Sequence, residues 1–181
     1  YIPADELSET AKKFLGTMQF MLRGLPFIYQ GQEIGMENVN FTSMDQIDDI
    51  STRDQYKVAI EAGLSPEDAF AAVKHYSRDN SRTPFQWDTS ENAGFTTGKP
   101  WIALNPNYKK INVADQLKRD DSVFHYYQKL IKLRKEYEII IYGKYELLLP
   151  DDENIYAYVR TLGNQKLLTN SKHTVMAVKN S

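Results

Sequence analysis

Gly24-Leu-Pro-Phe-Ile-Tyr-Gln-Gly-Gln-Glu-Ile-Gly-Met36 is the stretch from which the fold is read. Residues 25–30 are a short apolar run fenced by Gly24 and Gly31. Across residues 5–23, Leu7, Ala11, Phe14, Leu15, Met18 and Leu22 recur at three- and four-residue steps, which predicts an amphipathic helix with these side chains in the core. Asp5 is placed to cap its start, and Gly24 sits where a left-handed residue ends a helix. A helix, a tight turn and a buried strand in this order make one repeat of an α/β fold. Pro26, which has no N–H for a ladder, fits near the strand start.

Outward from there the chain turns polar. Residues 38–54 carry Asp45, Asp48, Asp49 and Asp54 and read as a solvated excursion; their spacing does not fit a calcium-binding loop. A helix is expected over 52–62, with Tyr56, Val58, Ala59 and Ile60 apolar and Gly63 at its end. Ser65-Pro66-Glu67-Asp68 supplies a capping serine, a proline at the first helical position and acids in the first turn, so a second helix should run from there to about Tyr76. It delivers the chain to Ser77-Arg-Asp-Asn-Ser-Arg-Thr-Pro-Phe-Gln-Trp-Asp88. Pro84 pushes Thr83 out of the α region, so this is a loop. Arg78 and Arg82 lie either side of Asp79 and Asn80, with Phe85 and Trp87 just after. A guanidinium is a rigid fork of donors suited to carboxylates and hydroxyls. Rings beside such donors suit a sugar, which has apolar faces and directional hydroxyls. Taken alone, the residues favour a staple of Arg78 to Asp79 or Asp88 with Trp87 in the core, because structural ion pairs outnumber functional ones.

Residues 92–112 hold Gly94, Gly98, Pro100 and Pro106 without periodicity and read as a long ordered loop, pinned by Trp101 and Tyr108; sugar stacking by either ring is the lesser reading. Residues 121–135 predict a helix, with Val123, Tyr126, Tyr127, Leu130, Ile131 and Leu133 on its apolar side and Lys129, Lys132, Arg134 and Lys135 near its C-terminal end, where cations suit the dipole. After about Tyr137 the pattern alternates. Strands are expected at 139–142, at 145–149, around Ile155, Ala157 and Val159, at 166–169 and at 174–178, opening an antiparallel domain. From Leu168 onward the tail is irregular, and an exposed edge or disorder is expected there.

The chain has 181 residues, 41% hydrophobic, with a net charge of −2, an ordinary globular composition with enough apolar side chains for one or two small domains. So neutral a balance gives no electrostatic case for nucleic acid. The absence of Cys excludes a disulfide frame, a thiol nucleophile and a Cys-based metal site. His75, His125 and His173 lack ligand spacing, so no metal is expected. No apolar run approaches the roughly 20 residues of a membrane span, and no signal-type start is seen, so no membrane partner and a cytoplasmic location are expected.

Four stretches, in the same order, resemble the α-glucosidase and oligo-1,6-glucosidase branch of the α-amylase superfamily, glycoside hydrolase family thirteen. They are 24–36, 77–88, Asn92-Ala-Gly-Phe-Thr-Thr-Gly-Lys-Pro-Trp101, and Asn105-Pro-Asn-Tyr108 leading to Ile111-Asn112-Val113. The resemblance implies an α/β plus β fold: the end of a (β/α)8 barrel followed by a truncated antiparallel β-sandwich. Residues 25–30 would be the last barrel strand, 5–23 the seventh barrel helix and 121–135 the eighth. Residues 1–136 would then be the C-terminal part of the catalytic domain and 137–181 the start of the β-domain. A whole barrel of this kind needs about 250 residues, so the chain is expected to be a fragment.

Glycoside hydrolysis uses two carboxylates flanking the scissile bond. In the resembling family these follow the fourth and fifth barrel strands, and a further aspartate follows the seventh. All would precede this chain, so no catalytic residue and no cofactor are expected here. Asp79 and Glu33 match no catalytic motif; Glu33, just past the last strand, is weighed more as a tie between loops. The resemblance maps substrate binding onto Arg82, which would hold a hydroxyl of the non-reducing terminal glucose together with an acid upstream of this chain, and leaves Arg78 structural. At Ser51 many relatives carry a glutamate lining the second sugar's site, which bears on linkage preference. The implied activity of the intact enzyme is that of a retaining, exo-acting α-glucosidase on short oligosaccharides such as isomalto-oligosaccharides. Trehalose-6-phosphate hydrolysis and sucrose isomerisation are close alternatives, and a non-catalytic carbohydrate-binding or structural piece is the alternative of another class. Alone, the fragment is expected to be inactive and, with 25–30 lacking its neighbouring strands, prone to self-association.

Overall fold

The computed structural model describes residues 8–153, 155–170 and, for the backbone alone, 177–180. The helices are α1 (Glu9–Phe20), α2 (Ile50–Glu61), α3 (Pro66–Lys74), α4 (Val113–Gln116), α5 (Val123–Glu136) and α6 (Glu138–Tyr142). The strands are β1 (Lys144–Leu148), β2 (Ala157–Leu162), β3 (Gln165–Asn170) and β4 (Ala177–Asn180). Two compact units form among the described residues, one within Tyr29–Asp120 and one within Leu7–Ile28 together with Asp121–Ser181.

In the second unit α1 packs against α5. Ser8 caps α1 by accepting the Ala11 N–H at 3.2 Å, and Ser122 caps α5 through the His125 N–H at 3.3 Å. The expected cap Asp5 and the apolar residue Leu7 lie outside the described residues. Phe20, Met21, Val123, Tyr127, Leu130, Ile139, Ile140, Tyr158 and Leu167 form one buried cluster. Phe20 meets Tyr127 edge-on at 5.6 Å, a favoured aromatic geometry. Gly16 permits this approach, since a Cβ there would lie 3.0 Å from the Tyr127 ring.

The four strands pair antiparallel in the order β1-β2-β3-β4, with Leu147 opposite Tyr158 and Arg160 opposite Leu167. Two expectations change here. Residues 139–142, expected as a strand, form α6, because Ile139 and its neighbour Ile140 are both buried, and adjacent side chains share one side of a helix turn more readily than of a strand. In β2 the buried side chains are Ala157, Tyr158 and Arg160, so Tyr158 and Arg160 face inward while Val159, expected on the buried side, is only part-buried. Residues 171–176, where the last strand was expected to begin, lie outside the described residues; β4 spans Ala177–Asn180.

Residues 25–30, expected as a buried strand, form no ladder among the described residues. Leu25 is 79% and Phe27 77% exposed. A strand requires neighbours to satisfy its backbone, and none of the described residues pairs with it. The Phe27 carbonyl takes instead the Gln19 amide at 2.7 Å.

The first unit packs α2 against α3 and buries Ile34, Phe41, Ile47, Ala69, Val73, Ala93 and Ile102. Ser65 caps α3 as expected, accepting the Asp68 N–H at 3.1 Å. Residues 38–54 are not a solvated excursion: Phe41, Ile47 and Asp49 are buried. Nor is the 92–112 loop pinned by Trp101, which is 73% exposed. Amides hold it. Asn105 donates to the Glu37 and Asn38 carbonyls, both at 3.1 Å, and buried Gln86 donates to Asn107 at 3.0 Å and to the Ile111 carbonyl at 2.6 Å.

Candidate functional site

The chain leaves α3, and Ser77 caps the short 3-10 turn Arg78–Ser81 by accepting the Asp79 N–H at 3.3 Å. In a 3-10 turn residues three apart eclipse, which puts Asp79 and Arg82 on one side. Arg82 Nη1 lies 3.3 Å from Asp79 Oδ1. The other Asp79 oxygen accepts the backbone N–H groups of Asp48 at 2.6 Å and Asp49 at 2.8 Å. Asn80 locks the same turn from its far side, accepting the Val39 N–H at 3.1 Å and donating to the Lys74 carbonyl at 3.1 Å.

Asp49, just before α2, is the second buried carboxylate. Its Oδ1 accepts Arg78 Nε at 2.9 Å and Arg78 Nη2 at 2.5 Å, and its Oδ2 accepts the Thr52 hydroxyl at 2.8 Å. The Arg78 hydrogen bonds hold the Asp49 carboxyl far below the usual carboxylate range; burial opposes this and Thr52 adds to it. The same bonds raise the Arg78 guanidinium. Arg82 Nη1 is 3.8 Å from Asp49 Oδ1, so two carboxylates and two guanidinia alternate through one cluster.

The two arginines differ in what remains free. Arg78 spends Nε and Nη2 on Asp49. Arg82 is held at Nη1, and its Nε and Nη2 have no partner among the described residues. A cavity of about 510 Å³ lies beside the turn, lined by Tyr29, Gln30, Tyr76, Arg78, Asn80 and Ser81; Arg82 does not line it. A shallower one of about 690 Å³ is lined by Ile50, Ser51, Asp54, Gln55, Val58 and Arg78 among others, and holds the exposed Ser51 hydroxyl.

The staple of Arg78 to Asp79 or Asp88 is replaced by Arg78 to Asp49. Asp88 instead accepts the Ser90 hydroxyl and its N–H, which lower its pKa. Trp87, considered for the core, is half exposed and meets Phe85 edge-on at 4.8 Å. Glu33, weighed as a tie between loops, has a buried Oε2 with no hydrogen-bond partner among the described residues. No group of three metal-ligating side chains occurs among the described residues. Asp49 was missed as a site residue. The available signal was charge balance, since two arginines entering one tight turn require more than Asp79 alone.

Against this geometry stand the comparisons with known proteins. The family model described as alpha amylase, catalytic domain, matches residues 3–143. The chain belongs to the α-amylase family. Among curated relatives of this family, the chain is 54% identical over 157 residues to an oligo-1,6-glucosidase of Parageobacillus thermoglucosidasius, covering 86% of this chain and 28% of that enzyme. It is 47% identical over 156 residues to the trehalose-6-phosphate hydrolase of Bacillus subtilis strain 168, covering 86% of this chain and 28% of the relative. Among solved α-amylase family structures, isomaltulose synthase from Erwinia rhapontici NX5 superposes with a TM-score of 0.87 at 48% identity, over 91% of this chain and 30% of that one. A variant of that synthase has been solved with its natural substrate sucrose. The structural neighbours place the chain in the barrel region of the family, with a small antiparallel sheet following it. Among the described residues no helix is long and apolar enough to cross a membrane.

Proposed function

We propose that this chain is the sugar-gripping C-terminal segment of a retaining, exo-acting α-glucosidase that removes terminal glucose from short α-glucosides such as isomalto-oligosaccharides, in the cytoplasm. The observation that carries the reading is Arg82: anchored through one nitrogen to buried Asp79, with Nε and Nη2 left for a ligand. The curated relatives named oligo-1,6-glucosidase support the substrate class. Two adjacent donors in a fixed fork match a glucose hydroxyl at the blind end of a pocket, which favours cutting single terminal units. The bond-breaking carboxylates belong to a portion that these 181 residues do not include. We place residues 1–136 with the barrel and 137–181 with the β-domain, and 25–30 as a barrel strand whose neighbours come from that other portion.

The chain alone is therefore expected to leave a chromogenic α-glucoside intact and, through Leu25 and Phe27, to self-associate. Joined to the N-terminal portion of the Parageobacillus enzyme, it should support hydrolysis of isomaltose. In that chimera Arg82→Ala lowers kcat/KM by about 10- to 1,000-fold, the scale of a lost charged hydrogen bond plus misplacement. Near wild-type kinetics would refute the role of Arg82. The trehalose-6-phosphate hydrolase and isomaltulose synthase relatives favour a second reading of the same barrel, distinguished by assaying the chimera on trehalose 6-phosphate and on sucrose. Glucose shifts confined to residues around Arg82 and Trp87 in a chain that never supports turnover would favour a carbohydrate-binding piece.

A further inference from the structure

A buried carboxylate is tolerated when its oxygens are hydrogen-bonded and its charge is paired. Asp79 is fully buried and divides its oxygens between two tasks. Oδ2 is fixed by the backbone N–H groups of Asp48 and Asp49, at 2.6 and 2.8 Å, so its position is set by main chain and not by a mobile side chain. Oδ1 faces Arg82 Nη1 at 3.3 Å. Asp49 Oδ1 stands 3.8 Å from that nitrogen, but it is already taken up by Arg78. Arg82, 39% exposed at its side chain, is thus anchored at one corner of its planar fork and open at the others. A long side chain loses rotamer freedom when it grips a ligand, and one already held by a fixed carboxylate loses less.

We propose that Asp79 is a positioning residue for sugar recognition: it anchors Arg82 Nη1 and so presents Nε and Nη2 to a glucose hydroxyl. This rests on the reading of Arg82 given above. Asp79 touches no sugar itself. Its influence passes through the guanidinium plane, whose rotation about Nη1 it restricts. The main-chain anchor at Asp48 and Asp49 makes the orientation a property of how the 38–54 segment is folded against the arginine turn.

The test is a double-mutant cycle in the full 181-residue chain joined to the N-terminal portion of the Parageobacillus oligo-1,6-glucosidase. Asp79→Asn keeps one oxygen for the Asp48 and Asp49 amides and removes the charge facing Arg82. The expected result is that KM for isomaltose and the inhibition constant for glucose rise together by about 10-fold, the size of a small misplacement of a binding group. In an Arg82→Ala background the same change should have no further effect on either constant. A merely structural role would lower the unfolding midpoint without moving the two constants in parallel. Unchanged constants in Asp79→Asn, or effects that simply multiply with those of Arg82→Ala, overturn the proposal while leaving Arg82 as a sugar ligand. A silent Arg82→Ala overturns the reading of Arg82 and this inference with it. If Asp79→Asn does not fold, Asp79→Glu, which retains the charge and displaces it by one methylene, is judged by the same coupling.

Discussion

Arg160 Nη1 donates to the Met21 carbonyl at 2.9 Å, joining β2 to the chain just past the end of α1. The same guanidinium gives Nε and Nη2 to the Gly143 carbonyl, at 3.1 and 2.7 Å, from a fully buried position. Arg134 does likewise beside it, donating to the Phe20 and Leu22 carbonyls at 2.6 and 2.9 Å and to the Gly24 carbonyl. The last carbonyls of a helix lack intrahelical partners and carry partial negative charge, so cations are favoured there. Burial lowers the pKa of both arginines. Neither meets a carboxylate in these bonds; each is paired with a helix end instead.

Arg160→Lys should destabilise the chain, because a single ammonium cannot serve Gly143 and Met21 with a fork's geometry. A carbonyl left unsatisfied in the interior costs about 1–3 kcal/mol. Urea denaturation should show a lower midpoint with an unchanged slope. Arg160→Met, which leaves both carbonyls unpaired, should lower it further.

Gly16→Ala puts two effects in opposition. Alanine is favoured over glycine within a helix by about 1 kcal/mol. But its Cβ would sit 3.0 Å from the ring of Tyr127, which is buried and pressed edge-on against Phe20. Overpacking of this kind costs about 1–3 kcal/mol, so the net change should be destabilising. In a Tyr127→Leu background the same substitution should become stabilising. Thermal midpoints of the four proteins decide it, and a stabilising Gly16→Ala in the wild-type background would show that the ring can retreat.

Local chemistry was legible and long-range pairing was not. The Ser65-Pro66 start of α3 and the apolar side of α5 could be read directly, because caps and periodicity lie within a few residues of what they govern. The four quoted motifs likewise led to the right family. Asp49 and Arg78 lie 29 positions apart, and nothing local distinguishes a buried aspartate from its solvated neighbours Asp45 and Asp48. The inward face of β2 was hidden for a related reason. Arg160 and Tyr158 look like solvent-side residues until Met21 and Gly143 are brought up to receive the guanidinium. Ile139 and Ile140 read as strand by propensity, and tertiary burial overrode it.

The Tyr145 and Tyr156 hydroxyls lie 3.1 Å apart, and this bond, with burial and the neighbouring phenols, pushes the Tyr145 pKa up to about 12. A raised phenol pKa means that the folded state prefers the neutral form. Its contribution is therefore complete below the ordinary value near 10 and is lost as pH rises from there through about 12. Ultraviolet phenolate absorbance should show Tyr145 titrating late, together with Tyr158, whose pKa burial also raises. Tyr156→Phe should bring Tyr145 back toward the ordinary range and flatten the alkaline fall in stability. A titration unchanged by Tyr156→Phe would assign the shift to burial and the neighbouring Tyr158.

Acid should act on the arginine cluster in the opposite sense. The Asp49 carboxyl is held far below its ordinary pKa, chiefly by the Arg78 hydrogen bonds, so the folded state binds its proton less readily than the unfolded chain does. Its stabilisation is then complete above the ordinary value near 4 and drains away as pH falls below it. Asp49→Asn removes the charge that Arg78 pairs with and leaves an amide that can donate as well as accept. At neutral pH this should destabilise the first unit, and the penalty should shrink toward pH 3, where part of the wild-type advantage has already gone. Urea midpoints of the two proteins at pH 3, 5 and 7 make the comparison. A gap of constant size across that range would mean that Asp49 contributes through packing and the Thr52 hydroxyl, and not through its charge on Arg78.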